Sequence, residues 1–222
     1  MRRLYSALAA TILLALLVPA GAGARMIELG ASSEVVAPSC PVTPCLAVTR
    51  TTGFQYTART RRSIFVSSVT GRVVAFTVRL GSPTARQIAF FNQQAGGVAR
   101  ARVAVLRPER ALTRGQVRYK LNAQSEDFLL QPYFGRTAQF PLRLSLLVRR
   151  GYTVAISVPT WAPILAVSGL DNTFAWRSSR IKPCSTNPER QPPHTTAGSI
   201  REYFCLYRPA KLTYTTTIIS TP

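Results

Sequence analysis

The sequence predicts an all-β protein: a single antiparallel β-sandwich, jelly-roll-like, with long loops and two disulfides. Three observations carry that prediction. Short runs of residues alternate apolar and polar with period two, Gly and Pro break these runs at intervals of about ten residues, and no stretch shows the 3.6-residue period of a long amphipathic helix.

The clearest alternation lies in residues 140–163, FPLRLSLLVRRGYTVAISVPTWAP. Phe140, Leu142, Leu144, Leu146 and Val148 share one face of an extended strand, with Pro141, Arg143 and Ser145 opposite and Leu147 as the exception. After Arg149, Arg150 and Gly151 the pattern resumes as Tyr152, Val154, Ile156 and Val158 against Thr153, Ala155 and Ser157. Two half-buried strands joined at a glycine that accepts positive φ read as a β-hairpin.

The remaining elements follow in order. Residues 26–29 open the fold as a short strand, and 32–44 are polar, Pro-bearing and irregular. Residues 46–49, 53–58 and 63–67 read as short strands rich in β-branched and aromatic residues, with 59–62 as a charged turn. In 71–80, Val74, Phe76, Val78 and Leu80 point one way and Val73, Ala75, Thr77 and Arg79 the other, until Gly81-Ser82-Pro83 ends the strand. Residues 88–91 read as a strand and 93–97 as a glycine-bearing loop. A strand over 101–107 closes at Pro108, and 116–122 place Val117, Tyr119 and Leu121 inward against Arg118 and Lys120. Residues 128–130, 164–167 and 173–176 are further short strands. The stretch 182–199 carries Pro183, Pro188, Pro192 and Pro193 and reads as a loop, before strands at 202–207 and 212–220 close the fold. In the last of these Leu212, Tyr214, Thr216 and Ile218 share a face.

The chain opens with Arg2 and Arg3, an apolar run over 4–18, then Pro19 and small residues with an Ala-x-Ala pattern. That is the composition of a secretory signal peptide over 1–24, cleaved after Ala22 or Ala24, and of a secreted, extracellular domain over 25–222 with no transmembrane span. The apolar run is shorter than the roughly 20 residues that a membrane helix needs. In an oxidising compartment Cys40, Cys45, Cys184 and Cys205 read as disulfides. Sequence proximity suggests Cys40–Cys45 and Cys184–Cys205, with peptide mapping to decide among the three pairings. A four-thiolate zinc site lacks the Cys-x-x-Cys knuckles it normally uses, so neither a metal nor a cofactor is expected.

Net charge is +20, from 28 basic and 8 acidic residues; without Arg2 and Arg3 the balance is 26 against 8, or +18. Arginine outnumbers lysine 25 to 3. Such a surface attracts polyanions, but GC-rich codon usage produces the same skew, and the tight clusters are only Arg59-Arg61-Arg62, Arg100-Arg102 and Arg149-Arg150. Specific nucleic-acid recognition, which uses a basic stripe interleaved with aromatics, is not expected.

The succession GRVVAFTVRL, ARVAVLRP and FPLRLSLLVRRGYTVAISV resembles a recurring pattern in uncharacterised secreted actinobacterial β-sandwich proteins. In that pattern a Gly-x-Val strand, a Val-Leu-Arg-Pro strand and a Phe-Pro…Val-x-x-Gly-Asp-x-Ile hairpin follow one another. The resemblance spans roughly residues 71–160 and implies a jelly-roll-like fold and export, and no activity. Tyr152 stands where the pattern carries its acid.

Chemistry is sparsely supplied. His194, the only histidine, lies in the proline-rich loop, where a mobile, solvated side chain is expected, and no nucleophile-elbow signature accompanies it. Of the acids Glu28, Glu34, Glu109, Glu126, Asp127, Asp171, Glu189 and Glu202, only Glu126 and Asp127 are adjacent, and neighbours on a strand point to opposite faces. A carboxylate-dependent, glycosidase-like hydrolase therefore requires Glu126, Asp127, Asp171 and Glu202 to converge in space. The better-supplied class is a non-catalytic protein that binds a glycan or an anionic cell-wall polymer. Its candidate residues are Trp161, Tyr133, Arg136, Trp176 and Arg177, with Phe134 beside them, since planar rings near arginine suit sugar faces and hydroxyls. Trp161, framed by Pro159 and Pro163 and in phase with the small residues Thr153, Ala155 and Ser157, is expected to be exposed; a bulge at Pro159 would reverse that parity.

Overall fold

The structure is a computed structural model that describes residues 23–180, 183–184 and 192–221. The expected signal peptide, 1–24, lies outside the described residues except for its last two positions. Fifteen strands and one α-helix make up the fold: β1 (Met26–Leu29), β2 (Val48–Ala58), β3 (Arg61–Arg62), β4 (Gly71–Arg79), α1 (Ala85–Gln94), β5 (Arg100–Glu109), β6 (Arg118–Gln124), β7 (Phe128–Leu129), β8 (Thr137–Val148), β9 (Thr153–Ala162), β10 (Leu165–Ala166), β11 (Ala175–Ser178), β12 (Ile200–Glu202), β13 (Cys205–Tyr207), β14 (Lys211–Leu212) and β15 (Tyr214–Ser220) among the described residues. Every pairing is antiparallel. One sheet runs β1-β15-β4-β8; the larger runs β12-β6-β5-β9-β2-β11-β13, with β3 on β2 and β7 on β5. The sheets curl into a half-barrel, so the fold is the all-β sandwich that the alternation implied.

Between the sheets lies one core. Phe76 stacks on Phe140 with Phe128 edge-on, and Phe65 stacks on Tyr214. Leu212, Tyr214, Thr216 and Ile218 are all buried, as their shared face required. Both expected disulfides are present, Cys40–Cys45 and Cys184–Cys205. Among the described residues no helix is long and apolar enough to cross a membrane.

Three local expectations are corrected. The first is the hairpin. Gly151 does take positive φ, +83°, in a tight turn. Yet β8 pairs with β4 in the small sheet while β9 lies between β5 and β2 in the large one. The turn is thus an arch between layers, and β9 is buried on both faces from Thr153 to Val158. The small residues expected to face solvent are roofed: Ser157 Oγ bonds Thr52 Oγ1 at 2.7 Å, and Thr52 Oγ1 accepts the His194 N–H.

The second correction is parity. Val73 opposes Leu146 but Ala75 opposes Pro141, so residues 142–145 of β8 face Val74 alone. That bulge leaves Leu144 70% exposed and reverses the strand on either side of Val74, so Val73 is buried with Phe76, Val78 and Leu80 while Val74 is only half-buried.

The third is α1, where residues 88–91 were expected in a strand. Thr84 caps the helix and forms a reciprocal capping box with Gln87, Ile88, Phe91 and Ala95 fall on one face, and Gly96-Gly97 stop it with φ of +83° and +114°. Smaller shifts complete the comparison. Residues 48–49 and 53–58 merge into β2 while Leu46 and Ala47 stay outside it, Pro108 lies inside β5, and 63–67 form a turn with one bridge, Val66 to Thr153.

Candidate functional site

The predicted binding residues are not brought together. Trp161 is fully buried, against expectation. Thr49 opposes Trp161 while Thr51 opposes Val158, so β9 carries one extra residue at Pro159–Thr160, and this bulge turns the indole into the core. Its ring stacks on Phe91 of α1 at 4.8 Å and lies 5.4 Å from Phe134. Its N–H donates to Asn92 Oδ1 at 2.9 Å and to the Gly97 carbonyl at 3.1 Å. A ring so enclosed offers no face to a sugar.

Trp176 is buried on β11 and stacks on Tyr207, its cross-strand partner, at 4.7 Å. Arg177 is half-buried; its Nη1 donates to the Tyr203 and Phe204 carbonyls, and the guanidinium lies 5.0 Å over the Tyr56 ring. Tyr133 is 41% exposed and rests edge-on against Phe140. Arg136 alone of the five lines a groove beside β4 and β15.

That groove encloses about 530 Å³. Paired strands β4 and β15 contribute Thr77, Arg79 and Thr215 to its lining, the turn Gly135-Arg136-Thr137 contributes one side, and residues 30–32 and 34–36 another. Lys211 of β14 closes one end. Its stem is buried, and its ammonium donates to Ser32 Oγ and to the Glu34 carbonyl. Burial pushes the Lys211 pKa down, opposed by the nearby Glu34 carboxylate. Among the described residues Glu34 is the one acid in the lining, and it is hydrogen-bonded to Arg59, which holds its carboxyl below the usual range. Arg79, Arg136 and Lys211 therefore face the groove against one carboxylate that is already engaged. Sequence reasoning found Arg136 but missed Arg79, Lys211 and the threonines, because they meet only when β4 pairs with β15 and Thr213, just after β14, bonds the Arg79 carbonyl across more than 130 residues of chain.

The hydrolase requirement is not met by the four acids. Asp127 is clamped by Arg102 through two bonds of 2.6 and 2.8 Å, Glu126 accepts the Arg143 N–H, and Asp171 accepts from Thr173 within its own turn. Glu202 sits on β12 at the far edge of the large sheet, and none of the four lines either principal cavity. Among the described residues no three His, Cys, Asp or Glu side chains cluster as metal ligands.

His194, expected to be mobile and solvated, is fully buried. It roofs the outer face of β2 and β9, with Nε2 3.0 Å from Ser199 Oγ and 3.1 Å from the Ser199 carbonyl, and Nδ1 3.2 Å from the Tyr203 hydroxyl. A carbonyl only accepts, so Nε2 carries the proton and Nδ1 accepts from Tyr203. Ser199 Oγ in turn donates to the Thr196 carbonyl at 2.6 Å. A protonated Nε2 has no lone pair for a serine proton, so this Ser–His contact is a structural one. Burial lowers the His194 pKa to about 4 and pushes the Tyr203 phenol well above its ordinary value.

No family model matches the chain, and neither a curated protein nor a solved structure does.

Proposed function

We propose that the protein is an exported, non-catalytic β-sandwich that binds an anionic cell-wall polymer or glycan along the groove between β4, β15 and the turn at Arg136. The observation that carries this reading is the lining itself: Arg79, Arg136 and Lys211 converge beside threonine hydroxyls, and the single acid, Glu34, is neutralised by Arg59. Cations attract the backbone charge of the polymer, while hydroxyls exchange hydrogen bonds with its sugars. The engaged carboxylates and the protonated Nε2 of His194 disfavour the hydrolase alternative. Export is supported by the leader composition and by two disulfides, which persist in oxidising compartments.

The test separates a built groove from bulk charge. Immobilised heparin serves as the anionic polymer and dextran as the neutral one, and retention should fall steeply as salt rises. Arg79→Gln/Arg136→Gln and Arg149→Gln/Arg150→Gln remove the same charge from different places. The groove pair should weaken binding at least about tenfold more than the turn pair. Equal losses would assign the attraction to net charge alone and end the groove reading.

A further inference from the structure

We infer that a second cavity, chemically unlike the groove, binds a small amphiphile: an aliphatic or aromatic chain ending in an anionic group. The cavity encloses about 800 Å³ between α1, the residues that lead into β2, β10 and the β11–β13 edge. That volume lies within the range of sites that bury a small organic ligand. Val48, Phe91, Leu165, Trp176 and Tyr207 line its walls.

Two observations define the occupant. The first is charge: among the described residues no Asp or Glu lines the cavity, whereas Arg208 does. Arg180 is fixed in the wall, its Nη2 donating to the Thr49 carbonyl at 2.7 Å and its Nη1 to the Tyr207 hydroxyl at 3.3 Å, while Arg208 is exposed. The second is the mouth, where Phe90 stands 58% and Leu46 38% exposed. Both become covered when an apolar chain enters.

A carbohydrate fits poorly, since one face of Trp176 is already taken by Tyr207 and the rest of the wall is largely hydrocarbon. The inference stands apart from the groove reading and involves none of its cations.

The experiment uses 11-(dansylamino)undecanoic acid and its methyl ester with the full chain, both disulfides formed. The acid should bind saturably with a blue-shifted, enhanced emission, and dodecanoate should displace it. Phe90→Glu puts a carboxylate at the mouth and should weaken the acid at least about tenfold. Arg208→Gln should weaken the acid but leave the ester unchanged. Both positions are exposed, so melting temperatures close to the parent's are expected and confirm that the variants fold. Retention on heparin should be unaffected by saturating dodecanoate, which keeps the two sites distinguishable. Absence of saturable binding, indifference to both variants, or equal affinity for acid and ester would overturn the inference.

Discussion

Replacing Trp161 with alanine should cost about 3–5 kcal/mol, the range for deleting a buried aromatic, because the ring is enclosed by Phe91 and Phe134 and its N–H holds Asn92 and Gly97. A urea titration checks this, and a loss under about 1 kcal/mol would mean that the indole is exposed after all. Pro159 and Pro163 mark this site in the sequence, but they do not say on which strand an extra residue sits. Parity is counted from one strand, whereas a bulge is a relation between two, and the same ambiguity misplaces Val74. His194 makes a second residue-scale case. A histidine in a proline-rich loop carries no sequence signal of burial, since its roof position comes from contacts with Thr52, Ser199 and Tyr203. Its folded pKa, about 4, lies below the ordinary 6.5 through burial, so between those values the unfolded chain binds the extra proton. Its contribution is therefore whole above about pH 6.5 and declines as pH falls toward 4. Glu34 and Asp171, whose carboxyls are held low by Arg59 and Thr173, lose their contributions only at more acidic pH. Urea midpoints between pH 5 and 7 should thus fall with acid in the parent and flatten in His194→Gln; parallel curves would contradict the assignment.

At the scale of elements, α1 was legible in retrospect and β9 only in part. Thr84-x-x-Gln87 is a capping-box spelling, and Gly96-Gly97 a stop, but the apolar run Ile88-Ala89-Phe90-Phe91 is too short for periodicity to separate helix from strand. Thr84→Ala should therefore lower stability by about 1 kcal/mol, read by thermal melting, with Thr84→Ser close to neutral. The helix matters beyond itself, because Phe91 supports Trp161 and, with Phe90, borders the apolar cavity. The disulfide Cys184–Cys205 closes a long loop, and replacing both cysteines with alanine should cost about 3 kcal/mol through the entropy of the unfolded chain. Cysteine spacing made both bridges legible, because short sequence separation and loop composition restrict the choice. The groove was legible only as Arg136, since cations on β4 and β14 share no sequence neighbourhood.

For the whole molecule, the alternating runs gave the class and most of the strands, while the assignment of strands to sheets was not legible. Strand order depends on which partners a long-range register selects, and every apolar face looks alike along the chain. The arch at Gly151 has a kinetic consequence. The two strongest β-sequences are adjacent yet share no ladder; Ser157 of β9 meets Thr52, and Leu146 of β8 meets Val73. No local hairpin is available there to start assembly, so folding should wait on distant encounters and run in the slow, millisecond-to-second range of high-contact-order β-proteins. For the same reason the chain can be opened between Arg150 and Gly151 without breaking a strand pair, provided a short linker joins the β1 and β15 ends, where Met26 already faces Ile219. Such a circular permutant should refold with both disulfides and a melting temperature near the parent's, whereas one opened inside β9 should not fold.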